Sequence, residues 1–465
     1  MRRKIYLFPL LLAFFIQNGL AEIKLPSILG SNAVLQQNAN ISIWGMAEKS
    51  TTVTIYTSWD KQTYEVKVNK EGSFSQSIRT TRAGGPHFIK LNDGTAEVVL
   101  ENLLMGEVWF CSGQSNMAML MSGREKEPIL NSEEIIKNSY NDNIRVFTAK
   151  QLIKTPSVGD SIGIWQNSAP SVIEKTSALA YQFAKKLEEE LQVPVGIIVS
   201  SWGGTPIRAW MSEESIMDIA YEGNYISDAL PQQPSTLYNG MVAPYINYTI
   251  RGILWYQGEN DRMRIDQYRE MMPAMVQDWR EKFKNPDMPF YYVQIAPWLY
   301  RQDKERGAPY FREMQYELSK IIPNSGIAIT ADIGSDKTIH PSDKTTLAER
   351  LSNMALAKTY GYADLKYLGP EVKGITTVDN KIVIRFNNAN HGLILKIDDT
   401  ENFEVAGTDK IFYKATAKLI GKKLEVWSSE VSTPVAVRYG FKNFFQGNLF
   451  NQEGLPASPF RTDNW

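Results

Sequence analysis

The period of the hydrophobic positions changes twice along the chain. From residue 22 to 104 apolar and polar residues alternate in short runs, ISIWG (41–45), TVTIYTSW (52–59) and YEVKVNKEGSF (64–74). This is the period-two pattern of half-buried strands. Asn69–Gly72 and Ala83-Gly84-Gly85-Pro86 read as hairpin turns between such strands. From 105 to 361 apolar strands alternate with helical segments: GEVWFCSG, a helix over 177–191, VPVGIIVSSWGG (193–204) and TIRGILWYQGEND (249–261). A helix near 266–283, PFYYVQIAP (289–297), a helix near 309–320, GIAITADIG (326–334) and a helix over 343–359 follow. The last helix sets Leu347, Leu351, Met354 and Ala355 on one core-facing stripe. From 362 to 465 strands return as KIVIRFN, KLEVWSS and PVAVRYG. The predicted fold class is therefore α/β: a doubly wound parallel sheet over 105–361, flanked by an N-terminal β-domain over 22–104 and a C-terminal β-rich region over 362–465.

The first residues stand apart. Arg2, Arg3 and Lys4 precede the apolar run 5–16, and small residues follow up to Ala21. That order predicts an export signal over 1–21 and a secreted or periplasmic protein. No later apolar tract is long enough to span a bilayer, so no membrane association is expected after cleavage. Lys+Arg 50 against Asp+Glu 51 leaves a net charge of -1, which offers nothing to neutralise nucleic-acid phosphates. The single cysteine, Cys111, excludes an intrachain disulfide and any multi-cysteine metal site, and it sits in an apolar strand as an inert thiol. Three histidines, His87, His340 and His391, are too few to suggest a histidine metal centre, so neither metal nor cofactor is expected.

In open α/β sheets ligands bind beyond the carboxyl ends of the strands. Four strand ends of the middle region carry polar residues and glycines: Ser112-Gly113-Gln114-Ser115-Asn116, Ser201-Trp202-Gly203-Gly204, Gln257-Gly258-Glu259-Asn260 and, after Asp332-Ile333-Gly334, His340-Pro341. Ser115 alone would read as a helix cap. With His340 as base, a glycine N–H and an asparagine amide as oxyanion donors, the set suits acyl transfer. The residues after Ser115 do not complete a G-x-S-x-G elbow. His87 and His391 fall in the β-regions and read as surface or packing residues.

The order Ser, Gly, Asn, His resembles the SGNH (GDSL-like) hydrolases. The blocks GQSNM, SWGGTPI, LYNGM, WYQGEND and DIG…IHP are similar to the sialate O-acetylesterase group within them, which also contains acetyl xylan esterases. VLQQNANISIWG and AGGPHF extend the resemblance over nearly the whole mature chain. It implies an SGNH-type sheet, Ser115 as nucleophile, His340 as general base, and an oxyanion hole from the Ser115 N–H, Gly204 (or Gly203) and Asn260, with Gln257 as the alternative donor. The acid that orients His340 is expected at Asp336, with Asp332 and Glu313 as alternatives; a backbone carbonyl would leave a Ser–His dyad. Arg208, which could pair with a substrate carboxylate, and Asn239 are candidate substrate contacts. Trp202, Trp210, Tyr238, Trp255 and Trp298 lie near the motifs and could stack on a sugar or belong to the core. The implied activity is removal of O-acetyl groups from sialic acid through an acetyl-serine. Acetylated xylan is the alternative substrate, and a non-catalytic glycan-binding protein is the alternative of a different class.

Overall fold

The computed structural model describes residues 23–154, 160, 162–217, 219, 229–301, 307–396 and 400–465. The expected export signal over 1–21 lies outside these residues. Among them, no helix is long and apolar enough to cross a membrane.

A central sheet organises the molecule. Its strands lie in the order Ser325–Ala328, Phe290–Val293, Gly252–Tyr256, Glu97–Gly113, Val195–Ser201, Asn141–Thr148 and Trp165–Ser168. All neighbours are parallel except the edge strand Trp165–Ser168, which runs antiparallel to Asn141–Thr148. Side chains alternate between faces along each strand. Trp109, Cys111 and Leu254 therefore pack on one side with Leu179, Phe183 and Leu187 of the helix Ala178–Leu191 and with Leu347, Leu351 and Met354 of the helix Lys344–Lys358. Phe110, Ile253, Trp255 and Tyr292 pack on the other with Met272, Met275 and Trp279 of the helix Ile265–Lys282 and with Phe311, Met314 and Leu318 of the helix Ala308–Ile321. Helix starts follow from the sequence: Ser177 caps Ala180 N and Asp343 caps Thr346 N through their side chains.

Three local expectations change. The parallel strand Asn141–Thr148 was not expected; its apolar residues are only Ile144, Val146 and Phe147, interrupted by Arg145, and its first residues, NDN, are polar. The Asn69–Gly72 turn forms, with Gly72 N donating to Asn69 O at 3.0 Å. It does not join two strands of one sheet, because Gln62–Lys67 pairs with Thr52–Thr57 while Ser73–Arg79 pairs with Asn40–Met46. The chain turns a corner between two sheets there, so that each can bury its inner face. The Gly84-Gly85-Pro86 segment is not a turn but the start of the strand Gly84–Asn92, which pairs antiparallel with Glu97–Gly113 from Met105 back to Glu97. Glu97–Gly113 runs for 17 residues, antiparallel to Gly84–Asn92 in its first part and parallel to the central strands in its second. The expected boundary at 104/105 thus falls inside one continuous strand.

The C-terminal region folds as antiparallel sheets around Ile382, Ile384, Phe403, Val437 and Tyr439. Its loop 443–447 braces two loops of the central sheet. Gly447 N donates to Ala331 O, and Trp298 N donates to Asn443 O.

Gly113 ends the central strand where it meets Gly252–Tyr256. Its φ is +138°, and a Cβ there would stand 2.1 Å from Tyr256 O. Gly113→Ala is expected to destabilise the protein by about 3 kcal/mol or more, from strain and backbone overlap together. Urea unfolding followed by circular dichroism checks this.

Candidate active site

Gly113 hands the chain to a single-turn helix, Ser115–Ala118. Its hydrogen bonds begin with Met117 N and Ala118 N on Gln114 O, so the Ser115 N–H is not used within the helix. Gln114 is itself pinned by its N–H on Tyr256 O, and Trp202 N donates to Gly113 O. The ends of three adjacent parallel strands are thereby held at one height, with Ser115 half-buried at their meeting point.

His340 reaches the same point from the loop after Ser325–Ala328. Its Nε2 lies 2.9 Å from Ser115 Oγ, and its Nδ1 lies 2.7 Å from Glu127 Oε1. The acid at Nδ1 is Glu127, not Asp336, Asp332 or Glu313. Asp336 is exposed in the preceding turn. Asp332 is held by Arg350 through two bonds of 2.8 and 2.7 Å. Glu313 is held by Arg461 at 3.0 and 3.1 Å. No backbone carbonyl takes the place of the acid, so the arrangement is not a bare dyad.

Glu127 is fixed from several sides. Paired backbone bonds with Arg124 close its turn. Thr338 Oγ1 donates to Glu127 Oε1 at 2.6 Å and accepts His340 N at 3.1 Å, and Arg124 Nη1 meets Glu127 Oε2 at 3.2 Å. These bonds hold the Glu127 carboxyl below its ordinary range even though burial opposes them. Burial moves the His340 imidazolium below its ordinary pKa, and Glu127 partly restores it. At neutral pH the ring is therefore a neutral acceptor toward Ser115. If Nδ1 carries its proton, bonded to Glu127, Nε2 is free to take the Ser115 proton.

The expected oxyanion donors divide. Gly203 lies against Ser115, since a Cβ on it would stand 3.3 Å from Ser115 Cβ, whereas one on Gly204 would meet nothing within 4 Å. Asn260 Nδ2 donates to Gly204 O at 2.5 Å, which ties two strand ends together; a primary amide retains a second N–H beyond that bond. Gln257 is a different case. It is fully buried and its amide nitrogen is committed to Asp261 Oδ2 at 2.6 Å and Thr205 O at 3.1 Å, so it is not available as an oxyanion donor.

Arg208 is only 5% exposed; burial raises the pKa of Asp261, and the Arg208 charge acts against that rise. Asn239 is half-buried in the helix Thr236–Met241. Of the aromatic candidates, Trp210, Tyr238 and Trp255 are core residues. Trp202 and Trp298 keep partly exposed rings. Cys111 is fully buried, which pushes its thiol well up. His87 packs edge-on against Trp59, and His391 pairs with Glu453 on the surface.

Glu127 and Arg124 are the site residues that sequence reasoning missed. Both lie in the charged run Arg124-Glu125-Lys126-Glu127, which reads as a solvated loop. Nothing local marks Glu127; only its pairing with a histidine 213 residues away does.

A strand-end serine, a histidine and a carboxylate in one hydrogen-bonded line form an arrangement able to cleave esters, and known proteins agree. The family model described as "Carbohydrate esterase, sialic acid-specific acetylesterase" matches residues 105–360, and the chain belongs to that family. The sialate O-acetylesterase of Homo sapiens is 30% identical over 395 residues, covering 76% of this chain and 74% of that protein. That of Pongo abelii is 29% identical over 485 residues, covering 93% and 91%. The crystal structure of a carbohydrate acetylesterase from Xanthomonas citri is similar throughout, with a TM-score of 0.87, 30% identity, and coverage of 95% of this chain and 100% of that one. The protein is thus a carboxylic ester hydrolase that removes O-acetyl groups from carbohydrates.

Glu127→Ala is expected to lower kcat on an activated acetate ester by about 10²–10⁴-fold, while Asp336→Asn stays within about twofold of the parent. The acidic limb of kcat/KM, which reports His340, is expected below the ordinary histidine pKa of about 6.5. Because Glu127 raises the His340 pKa, that limb moves further down in Glu127→Ala. Steady-state rates across pH check both.

Proposed function

We propose that the protein hydrolyses O-acetylated sialic acid through an acetyl-serine intermediate formed on an SGNH-type site. Ser115 Oγ attacks the acetyl carbonyl carbon as its proton passes to His340 Nε2. The Ser115 N–H, an N–H of Gly203–Gly204 and the Asn260 amide stabilise the oxyanion. The bond from the carbonyl carbon to the sugar oxygen breaks, and His340 gives the proton to that oxygen. Water then attacks the acetyl-serine, loses a proton to His340, and acetate leaves as Ser115 Oγ regains it. The Ser115–His340–Glu127 chain at 2.9 and 2.7 Å is the observation that carries this reading. Export, with a signal over 1–21, is part of the proposal and is supported by the basic start and the apolar run that follows.

Arg124 favours an anionic sugar. Its side chain is 60% exposed beside Glu127, and one bond to Glu127 leaves other guanidinium N–H groups for a carboxylate. Half-exposed Trp202 and Trp298 favour the second reading, a neutral polymer such as acetylated xylan, on which aromatic rings can stack. Acetate release from 9-O-acetylated sialic acid and from acetylated xylan, with Ser115→Ala as control, separates the two. Faster release from the sialic acid, lost in Ser115→Ala, is expected. Arg124→Ala is then expected to raise KM for that substrate by about tenfold but KM for a neutral acetate ester by less than about threefold, while kcat for both falls by the same factor because Glu127 loses one of its bonds. Faster release from xylan would overturn the sialic acid assignment.

A further inference from the structure

Beneath the reacting pair lies a buried polar cluster that the chemistry above does not use. Asn116, Glu259 and Lys344 are 1%, 2% and 0% exposed. Asn116 Nδ2 donates to Glu259 Oε1 at 2.6 Å and to Ile339 O at 3.1 Å, and Asn116 Oδ1 accepts from Lys344 Nζ at 2.7 Å. Three of these residues are each one step from a reacting or oxyanion group. Asn116 follows Ser115, Ile339 precedes His340, and Glu259 precedes Asn260. A single amide therefore joins the ends of the strands Glu97–Gly113, Gly252–Tyr256 and Ser325–Ala328.

The amide can sit in only one sense. Its NH₂ faces a carboxylate and a carbonyl, and its oxygen faces an ammonium; turning it over would set like against like at all three contacts. Lys344 Nζ also lies 5.5 Å from the centre of the Tyr256 ring, at the end of the neighbouring strand. Burial pushes Lys344 down to about 7, against the pull of Glu259, and it raises Glu259, against a backbone bond, the Asn116 amide and Lys344. A buried ion pair of this kind adds little net stability compared with apolar residues, and its attested use is to specify one arrangement.

We propose that Asn116 is a positioning residue that sets His340 at hydrogen-bonding distance over Ser115, with Glu259 and Lys344 locking its amide. The grip acts on the peptide bond between Ile339 and His340, so a loosened amide lets the imidazole drift from Ser115 Oγ and Glu127 together. It also gives a physical role to the asparagine of GQSNM, the glutamate of WYQGEND and the lysine four residues after His340.

This rests on Ser115 and His340 being the reacting pair, and the test keeps the two ideas apart. Rates on an activated acetate ester would be measured for the parent, Ser115→Ala, Asn116→Ala, Asn116→Asp and the double variant Lys344→Met/Glu259→Gln, with melting temperatures for each. Asn116→Ala and Asn116→Asp are expected to lose about 10–100-fold in kcat with KM changed less than about threefold, as a misplaced base requires. The double variant removes both charges and the donor to Asn116 Oδ1 but keeps an acceptor for Asn116 Nδ2, so it is expected to stay folded and to lose kcat in the same sense as Asn116→Asp, by about tenfold. If Asn116→Ala does not fold, Asn116→Asp and the double variant decide. An active parent whose folded Asn116 variants keep kcat, or lose activity only through KM, overturns the positioning role. So does a folded double variant that keeps the parent kcat. An inactive parent, or a Ser115→Ala protein as active as the parent, would instead overturn the esterase mechanism itself.

Discussion

The 2.7 Å contact between His340 Nδ1 and Glu127 joins residues 213 apart in sequence, and the geometry of the site depends on it. An imidazole can take a proton from a serine only when its free nitrogen faces the hydroxyl, and the carboxylate on the other nitrogen makes it do so. Burial alone would favour a neutral ring of either tautomer. Glu127 supplies the preference, Thr338 aligns Glu127 with the His340 backbone, and the Arg124 turn holds Glu127 from behind. Each partner comes from a loop, so the loops must be as well fixed as the strands that bear them.

The fold achieves this by binding loops to one another close to the sheet. Gln114 N on Tyr256 O and Trp202 N on Gly113 O hold three parallel strand ends together at the level of Ser115. Asn260 on Gly204 O and Gln257 on Asp261 and Thr205 connect the next tier. The C-terminal β-region contributes from outside, through Gly447 on Ala331 O and Asn443 on the Trp298 loop. A substrate thus meets groups positioned beforehand, which is where electrostatic stabilisation of a transition state gains most over water.

Much of this was legible in the chain because it follows from local pattern. Amphipathic spacing places the helices at 178–191, 265–282, 308–321 and 344–358 within a residue or two of expectation, since each needs one apolar face to cover the sheet. Ser115 and His340 could be singled out because they follow apolar strands, and the structure brings them within 2.9 Å. What was not legible depends on distant partners. Asn141–Thr148 becomes a strand because Val195–Ser201 offers it a parallel edge, although its own first half is polar. The acid is expected at Asp336, Asp332 or Glu313, yet Asp332 and Glu313 are taken by Arg350 and Arg461, and Glu127 arrives from a charged loop that carries no local signal. Gln257, expected as the alternative oxyanion donor, is instead a buried brace because Asp261, four residues on, folds back to accept from its amide.

The central claim is that Glu127 holds His340 in the tautomer that leaves Nε2 open to Ser115. With only three histidines in the chain, nitrogen-15 NMR of histidine-labelled protein can resolve His340 from His87 and His391. At neutral pH the account expects the His340 proton on Nδ1, with a strongly downfield resonance for that proton, retained in Asp336→Asn and lost or moved in Glu127→Gln. A proton on Nε2, or a His340 signal indifferent to Glu127→Gln, would contradict it.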